Sequence, residues 1–306
     1  MIHTKMMKPE CLWDLKASLG EGVVWIESEQ SVYFVSIFDK KIYRYHPESQ
    51  EKQIWDTHKQ PTFVLPTTST YLLCGMEDGL YWFNPVHGQL IRWLEMDEGI
   101  TNNRLNDGYI DSLGRLWFGT MDRNEQDPKG SLYLLEWDST GTPVLSKKDS
   151  NYVVTNGPLL TNSQRLYHNH SNAQHIYSFT VIDTNILSNK QIFVHLDQGY
   201  PDGMALDCKE RLWVCLYNGW GINVYDSHGE MVENIPFPCP NVTKIAFGGK
   251  DYTTAYVTTA RKGMTSEQGK EAPLAGGLFS FKVPVSGQPQ YKFKIPEIVK
   301  LEHQIF

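Results

Sequence analysis

The chain lacks the features that mark several large protein classes. Its five cysteines, Cys11, Cys74, Cys208, Cys215 and Cys239, are an odd set without a Cys-x-x-Cys pair. That argues against a disulfide framework or a cysteine-built zinc site, and reduced thiols in a cytoplasmic protein are expected. No apolar run approaches the ~18 residues of a membrane helix. The opening MIHTKMMKPE has neither the apolar stretch nor the small-residue cleavage site of a secretory signal. Lys and Arg form no block, and the net charge of −7 is spread along the whole length. Neither nucleic acid nor a membrane is therefore an expected partner, and no obligate protein partner is evident. The Gly-x-Ser-x-Gly elbow of serine hydrolases is missing too. Helical periodicity is scarce.

What the chain has instead is short apolar and aromatic runs that alternate, separated by Gly, Pro, Asn and Asp. They come in couplets. Val32–Ser36 is followed by Lys41–Tyr45, and Tyr71–Cys74 by Gly79–Phe83. Arg115–Phe118 with Ser131–Leu135, Arg165–Tyr167 with His175–Phe179, and Arg211–Cys215 with Gly221–Tyr225 repeat the pattern. Thr254–Val257 with Gly276–Phe281 is the last copy. The first strands start near 32, 71, 115, 165, 211 and 254, which is 39 to 50 residues apart. A period of roughly 40–50 residues with several short strands per unit is the mark of a β-propeller blade. Six couplets predict an all-β, six-bladed β-propeller formed as one domain over residues 1–306. A strand at about 10–15 is expected to join the C-terminal blade and lock the ring. A β-sandwich pair or a β-helix would not require such regular couplets.

One phrase is written twice, as NDGYIDSLGRLW from Asn106 and PDGMALDCKERLW from Pro201. The Asp-Gly pairs start 95 residues apart, two blade periods. In the Asp-x-x-x-Arg-Leu-Trp half, Asp111 and Asp207 fall in a turn where a carboxylate accepts bonds from backbone amides. The Asp-Gly half lies upstream, where the innermost strand of a blade approaches the axis. Glu21 before Gly22, Asp107 before Gly108, Asn156 before Gly157 and Asp202 before Gly203 occupy corresponding places in four blades. Glu21, Asn156 and Asp202 offer two carboxylates and an amide oxygen. Such hard ligands suit calcium, magnesium or manganese, and zinc is compatible but not demanded.

At these residues the chain resembles the gluconolactonase/regucalcin (senescence marker protein) family of six-bladed propellers. The resemblance covers roughly residues 15–285 and rests on several motifs in order. These are Gly20-Glu21-Gly22 before Val-Val-Trp25, Arg104-Leu-Asn106-Asp107-Gly108, Gly119-Thr120-Met121, Asn156-Gly157 and Pro201-Asp202-Gly203-Met204. It implies one divalent cation (Ca, Mg, Mn or Zn) at the channel mouth, held by Glu21, Asn156 and Asp202. It also implies substrate contacts from Arg104 and Asn106. A further substrate-contacting acid of the family falls near Asn124 here, with Asp122 and Glu125 close by. The family's Asn-Gly-Leu-Ala-Trp-Ser phrase reads Asn156-Gly-Pro-Leu-Leu-Thr161, and its Asp-Ser/Thr after the blade-four couplet strand reads His170-Ser171.

The activity this implies is divalent-metal-dependent hydrolysis of a small-molecule sugar lactone to the sugar acid. Asp202 is the residue expected to orient or deprotonate the attacking water. A phosphorus-ester or other ester hydrolase on the same scaffold, or a non-catalytic metal-binding propeller, are the alternatives. Asp107 reads as structural. His168 and His170 share a strand face by period two and read as structural replacements away from the channel. Trp117, Trp213 and Tyr167 read as blade core, whereas Tyr217 and Trp220 are candidates for a substrate wall.

Overall fold

A computed structural model describes residues 7–96 and 102–299. Its strands form six four-stranded antiparallel sheets. The innermost strands are Gly20–Ile26, Pro61–Leu65, Asn103–Ile110, Thr155–Leu160, Tyr200–Leu206 and Val242–Gly248. Each touches the next in chain order, and the sixth touches the first. The fold is a closed six-bladed propeller, as the couplets predict.

The couplets are the second and third strands of each blade. They sit between neighbouring blades with both faces covered, so they are apolar enough to be seen in the sequence. The outermost strands, such as Glu51–Asp56 and Met231–Pro236, face solvent and carry no such signal. Ring closure comes from Glu10–Trp13, which pairs antiparallel with Leu278–Lys282 through Glu10 opposite Ser280 and Cys11 opposite Phe279. The closing strand stops two residues short of the expected Leu15. Leu15 N bonds back to Trp13 O and Lys16 adopts φ 57°, so the chain turns away there.

Blades pack through large aromatic residues. Trp117 and Trp213 are wholly buried, and Tyr167 nearly so. Trp25 of blade one stacks on Tyr256 of blade six with centroids 5.6 Å apart, a contact worth about 0.5–1.5 kcal/mol beyond burial. The repeated turn also takes one form twice. Asp111 Oδ1 accepts from the amides of Leu113 and Arg115, and its Oδ2 accepts from Arg115 Nε at 2.8 Å and Trp117 Nε1 at 2.9 Å. Asp207 makes the same four bonds with Lys209, Arg211 and Trp213. Blade four replaces this Asp by Thr161, whose Oγ1 keeps only the bond from Arg165 N.

Each innermost strand carries a β-bulge. The register slips between Glu21 and Val24, Pro61 and Phe63, Leu105 and Gly108, Asn156 and Leu159, Pro201 and Met204, and Val242 and Lys244. An extra residue on one strand bends it and re-aims a side chain. Here six bulges at one level of the ring send side chains toward the axis. Gly22 at φ 61° and Gly157 at φ 51° are left-handed at two of them, which a residue with a Cβ adopts only under strain. At the far end of the innermost strands a C-terminal segment crosses the channel, with Gln288 N donating to Leu206 O at 2.9 Å.

Candidate active site and metal centre

The bulges bring Glu21, Asn106, Asn156 and Asp202 to one wall-to-wall cluster. All four are buried, yet they line an open cavity of about 370 Å³ together with Arg104, Ser171, Tyr217 and Lys262. They come from blades one, three, four and five, and only ring closure places them together.

A chain of hydrogen bonds fixes the amides. Arg104 Nη1 donates to Asn106 Oδ1 at 2.7 Å, and Asn106 Nδ2 donates to Thr155 O and to Asn156 Oδ1 at 2.8 Å. Asn156 Nδ2 donates to Ser171 Oγ, which donates to Pro201 O at 2.7 Å. With its nitrogen committed to Ser171, Asn156 must turn its carbonyl oxygen toward Asn106 and the cavity. Asn169 Nδ2 donates to Asp202 O, so blade four also holds the bulge of blade five.

The carboxylates are less settled. Glu21 Oε2 accepts from Gly22 N at 3.0 Å, whereas Asp202 Oδ1 is buried without a hydrogen-bond partner. Burial first, and then the nearby Asp107, push the Glu21 carboxyl up to about 7. Burial, then Glu21 and Asp107, hold Asp202 well above the ordinary carboxylate range. Burial lowers Arg104 to about 10, with Glu125 and Glu21 opposing the shift. Acidic groups gathered in low dielectric repel one another and call for a cation or protons.

Among the described residues no group of three or more His, Cys, Asp and Glu is placed to hold a metal ion. The set gathered here is different in kind: two carboxylates and one amide oxygen. It fits a hard divalent cation, because Asp202 Oδ1 has no donor and the Asn156 oxygen is aimed by Ser171.

Other residues fall elsewhere. Asn124 is exposed and does not line the cavity; the side chain at that rim is Glu125, which follows it at φ 56°. His168 is wholly buried, its ring 4.7 Å from that of Tyr152, and His170 Nε2 accepts from Val153 N. Neither histidine reaches the cavity. Tyr217 lines it, and Trp220 packs instead against the core of blades five and six. Asp107 accepts from the amides of Gly108 and Gly157 and pairs with Lys244. Ser171 enters the sequence reading only as the second half of His170-Ser171, and its contacts with Asn156 and Pro201 are not foreseen there. Lys244 and Lys262 escape it entirely, because their partners each lie 137 residues away and no local pattern announces them.

The sequence matches a family profile described as "SMP-30/Gluconolactonase/LRE-like region" over residues 19–261. A relative from Bacillus subtilis (strain 168), provisionally named as the sugar lactone lactonase YvrE, is 30% identical over 92% of this chain and 96% of its own. Regucalcin from Oryctolagus cuniculus is 30% identical over 94% of this chain and 98% of its own. A solved structure of a luciferin-regenerating enzyme superimposes with a TM-score of 0.87 at 25% identity, covering 94% of this chain and 99% of that one.

Proposed function

The chain belongs to the SMP-30/gluconolactonase/LRE-like family, and from that premise we propose that it hydrolyses a sugar lactone to the sugar acid with one divalent cation. The observation that carries this reading is the facing pair Glu21 and Asp202 in an open cavity, with Asp202 Oδ1 buried and unpartnered. The name of the Bacillus relative supports the substrate class.

Glu21, Asn156 and Asp202 would hold the cation. When bound, it supplies Lewis-acid polarisation of the lactone carbonyl and stabilises the charge that develops there. Arg104 and Asn106 stand beside the ligands and orient the sugar through its hydroxyl and ring oxygens. Asp202 takes a proton from water as the water oxygen bonds to the carbonyl carbon. The carbon–oxygen ring bond then breaks, and that proton is delivered to the departing ring oxygen, leaving a hydroxyl and a carboxylic acid. Calcium, magnesium and manganese match the all-oxygen ligand set better than zinc does.

The test is a pH-drop assay over a panel of aldonolactones, with a phosphotriester alongside, before and after chelation and cation add-back. Lactone turnover that stops on chelation and returns on add-back is expected. Turnover undiminished by chelation removes the cation from the reading, and turnover of the phosphotriester alone removes the lactone.

A further inference from the structure

Lys244 stands on the innermost strand of blade six, just past its bulge, and the hydrolysis proposed above does not use it. Its Nζ donates to Asp107 Oδ2 at 2.6 Å. Asp107 belongs to blade three, which faces blade six across a ring of six, so the lysine spans the axis. Both side chains are buried, with 11% and 4% of their surface exposed. The lysine stem passes directly over Gly203, the residue after Asp202. A Cβ at 203 would come within 2.1 Å of Lys244 Cδ and 2.7 Å of Thr243 O. Only glycine there admits the lysine. At its other end, Asp107 accepts from Gly157 N, the residue after Asn156, at 2.9 Å. The ion pair lines a separate, smaller cavity and touches the chain beside two of the three candidate ligands.

We propose that Lys244 is a resident counter-ion of this carboxylate site and that its charge sets how tightly the site takes a divalent cation. The proposal rests on the metal-dependent reading above. Glu21, Asp107 and Asp202 are three buried carboxyls at one level of the channel, and the ammonium offsets one of their charges. It makes the empty site tolerable. It also repels an arriving cation, and at a buried position that repulsion is poorly screened by salt. The consequence is a site that exchanges its cation readily.

The two halves of the pair then have opposite effects, which a bracing role cannot produce. Calorimetric titration of the full chain with Ca²⁺, and separately Mn²⁺, compares wild type with Lys244→Met, Asp107→Asn and the double variant. Lys244→Met is expected to tighten binding on the order of tenfold and Asp107→Asn to weaken it on the order of tenfold. The double variant, with both charges gone, is expected to return close to wild type. If the pair is only a brace, both single variants weaken binding together, and that result overturns the proposal. So do equal affinities in all four proteins. Lys244→Gln keeps a donor toward Asp107 and is expected to tighten binding as Lys244→Met does, so a folding defect in the Met variant leaves the test intact. The rise in Tm on adding each cation is a readout independent of turnover and is expected to follow the same order. Cation binding by wild type without the opposite shifts removes this proposal alone. Absence of binding in every variant removes the metal-dependent reading and this proposal with it.

Discussion

Glu125 of blade three and Lys262 of blade six form an ion pair across the mouth of the cavity. It joins the same two opposite blades as Asp107 and Lys244, but its side chains line the cavity itself. About a third of each side chain is exposed, so the pair is worth no more than about 1 kcal/mol and is weakened by salt. A substrate entering this mouth must pass it. Lys262→Met or Glu125→Gln should leave urea stability within about 1 kcal/mol of wild type and raise kcat/KM roughly two- to fivefold. Wild-type kcat/KM should rise with ionic strength, while either variant should lose that dependence. Kinetics from low to high salt decide it.

Glu21→Gln and Asp202→Asn should each lower kcat on the order of 10²–10³-fold. Their effect on the chelated protein should run the other way. Removing one of two facing buried carboxylates relieves repulsion, so chelated stability should rise by about 1 kcal/mol and Tm by roughly 1–2 °C. Calorimetric scans with chelator and with excess cation show both effects. A Tm that falls in the chelated variants would mean that the carboxylates hold the fold together rather than hold a cation.

Asp111→Ala and Asp207→Ala test the repeated turn. Each strands two backbone amides, an arginine Nε and a tryptophan Nε1 that now share one buried carboxylate. A loss of about 3–5 kcal/mol is expected for each, because a buried partner is left uncompensated. KM at a temperature where the protein stays folded should not move. Urea denaturation beside steady-state kinetics separates the two effects.

His168 gives the protein a pH dependence unrelated to catalysis. Burial lowers its pKa to about 3, with Asp149 opposing and Lys190 and His170 adding to the shift, and neither ring nitrogen has a partner. The unfolded chain takes up a proton near the ordinary value of about 6.5, so between there and 3 it binds more protons than the folded protein. Stability from this group is complete above 6.5 and falls as the solution is acidified. The loss at pH 5 is about 2 kcal/mol. His168→Phe keeps a ring against Tyr152 and should flatten that slope without cost at pH 7.5. Urea midpoints at the two pH values are the measurement.

How far the chain could be understood before its structure depends on where each feature keeps its partners. Couplets such as Arg211–Cys215 with Gly221–Tyr225 pair locally and are buried on both faces, so blade number and closure were legible. Asp111 and Asp207 bond within six residues and were equally plain. Glu21, Asn156 and Asp202 stood out because a Gly after an acid or amide recurred at blade spacing. Lys244 has no such mark. Blade six carries Thr243-Lys244 where others carry Asp-Gly or Asn-Gly, and its partner is 137 residues away. Asn124 went to solvent because the left-handed turn at Glu125 presents the next side chain to the cavity instead. A one-residue offset in a loop is beyond any periodic pattern.

The strand Glu10–Trp13 is synthesised long before its hydrogen-bonding partner, Leu278–Lys282, which lies five blades further along the chain. Throughout synthesis the early strand has an unsatisfied edge, and blades one to five wait in an open arc whose terminal faces expose aromatic residues such as Trp25. Folding is therefore finished in a single late step that covers both faces together. Until that step, Glu21 has no blade six beside it, and no closed ring holds the candidate ligands Glu21, Asn156 and Asp202 in place.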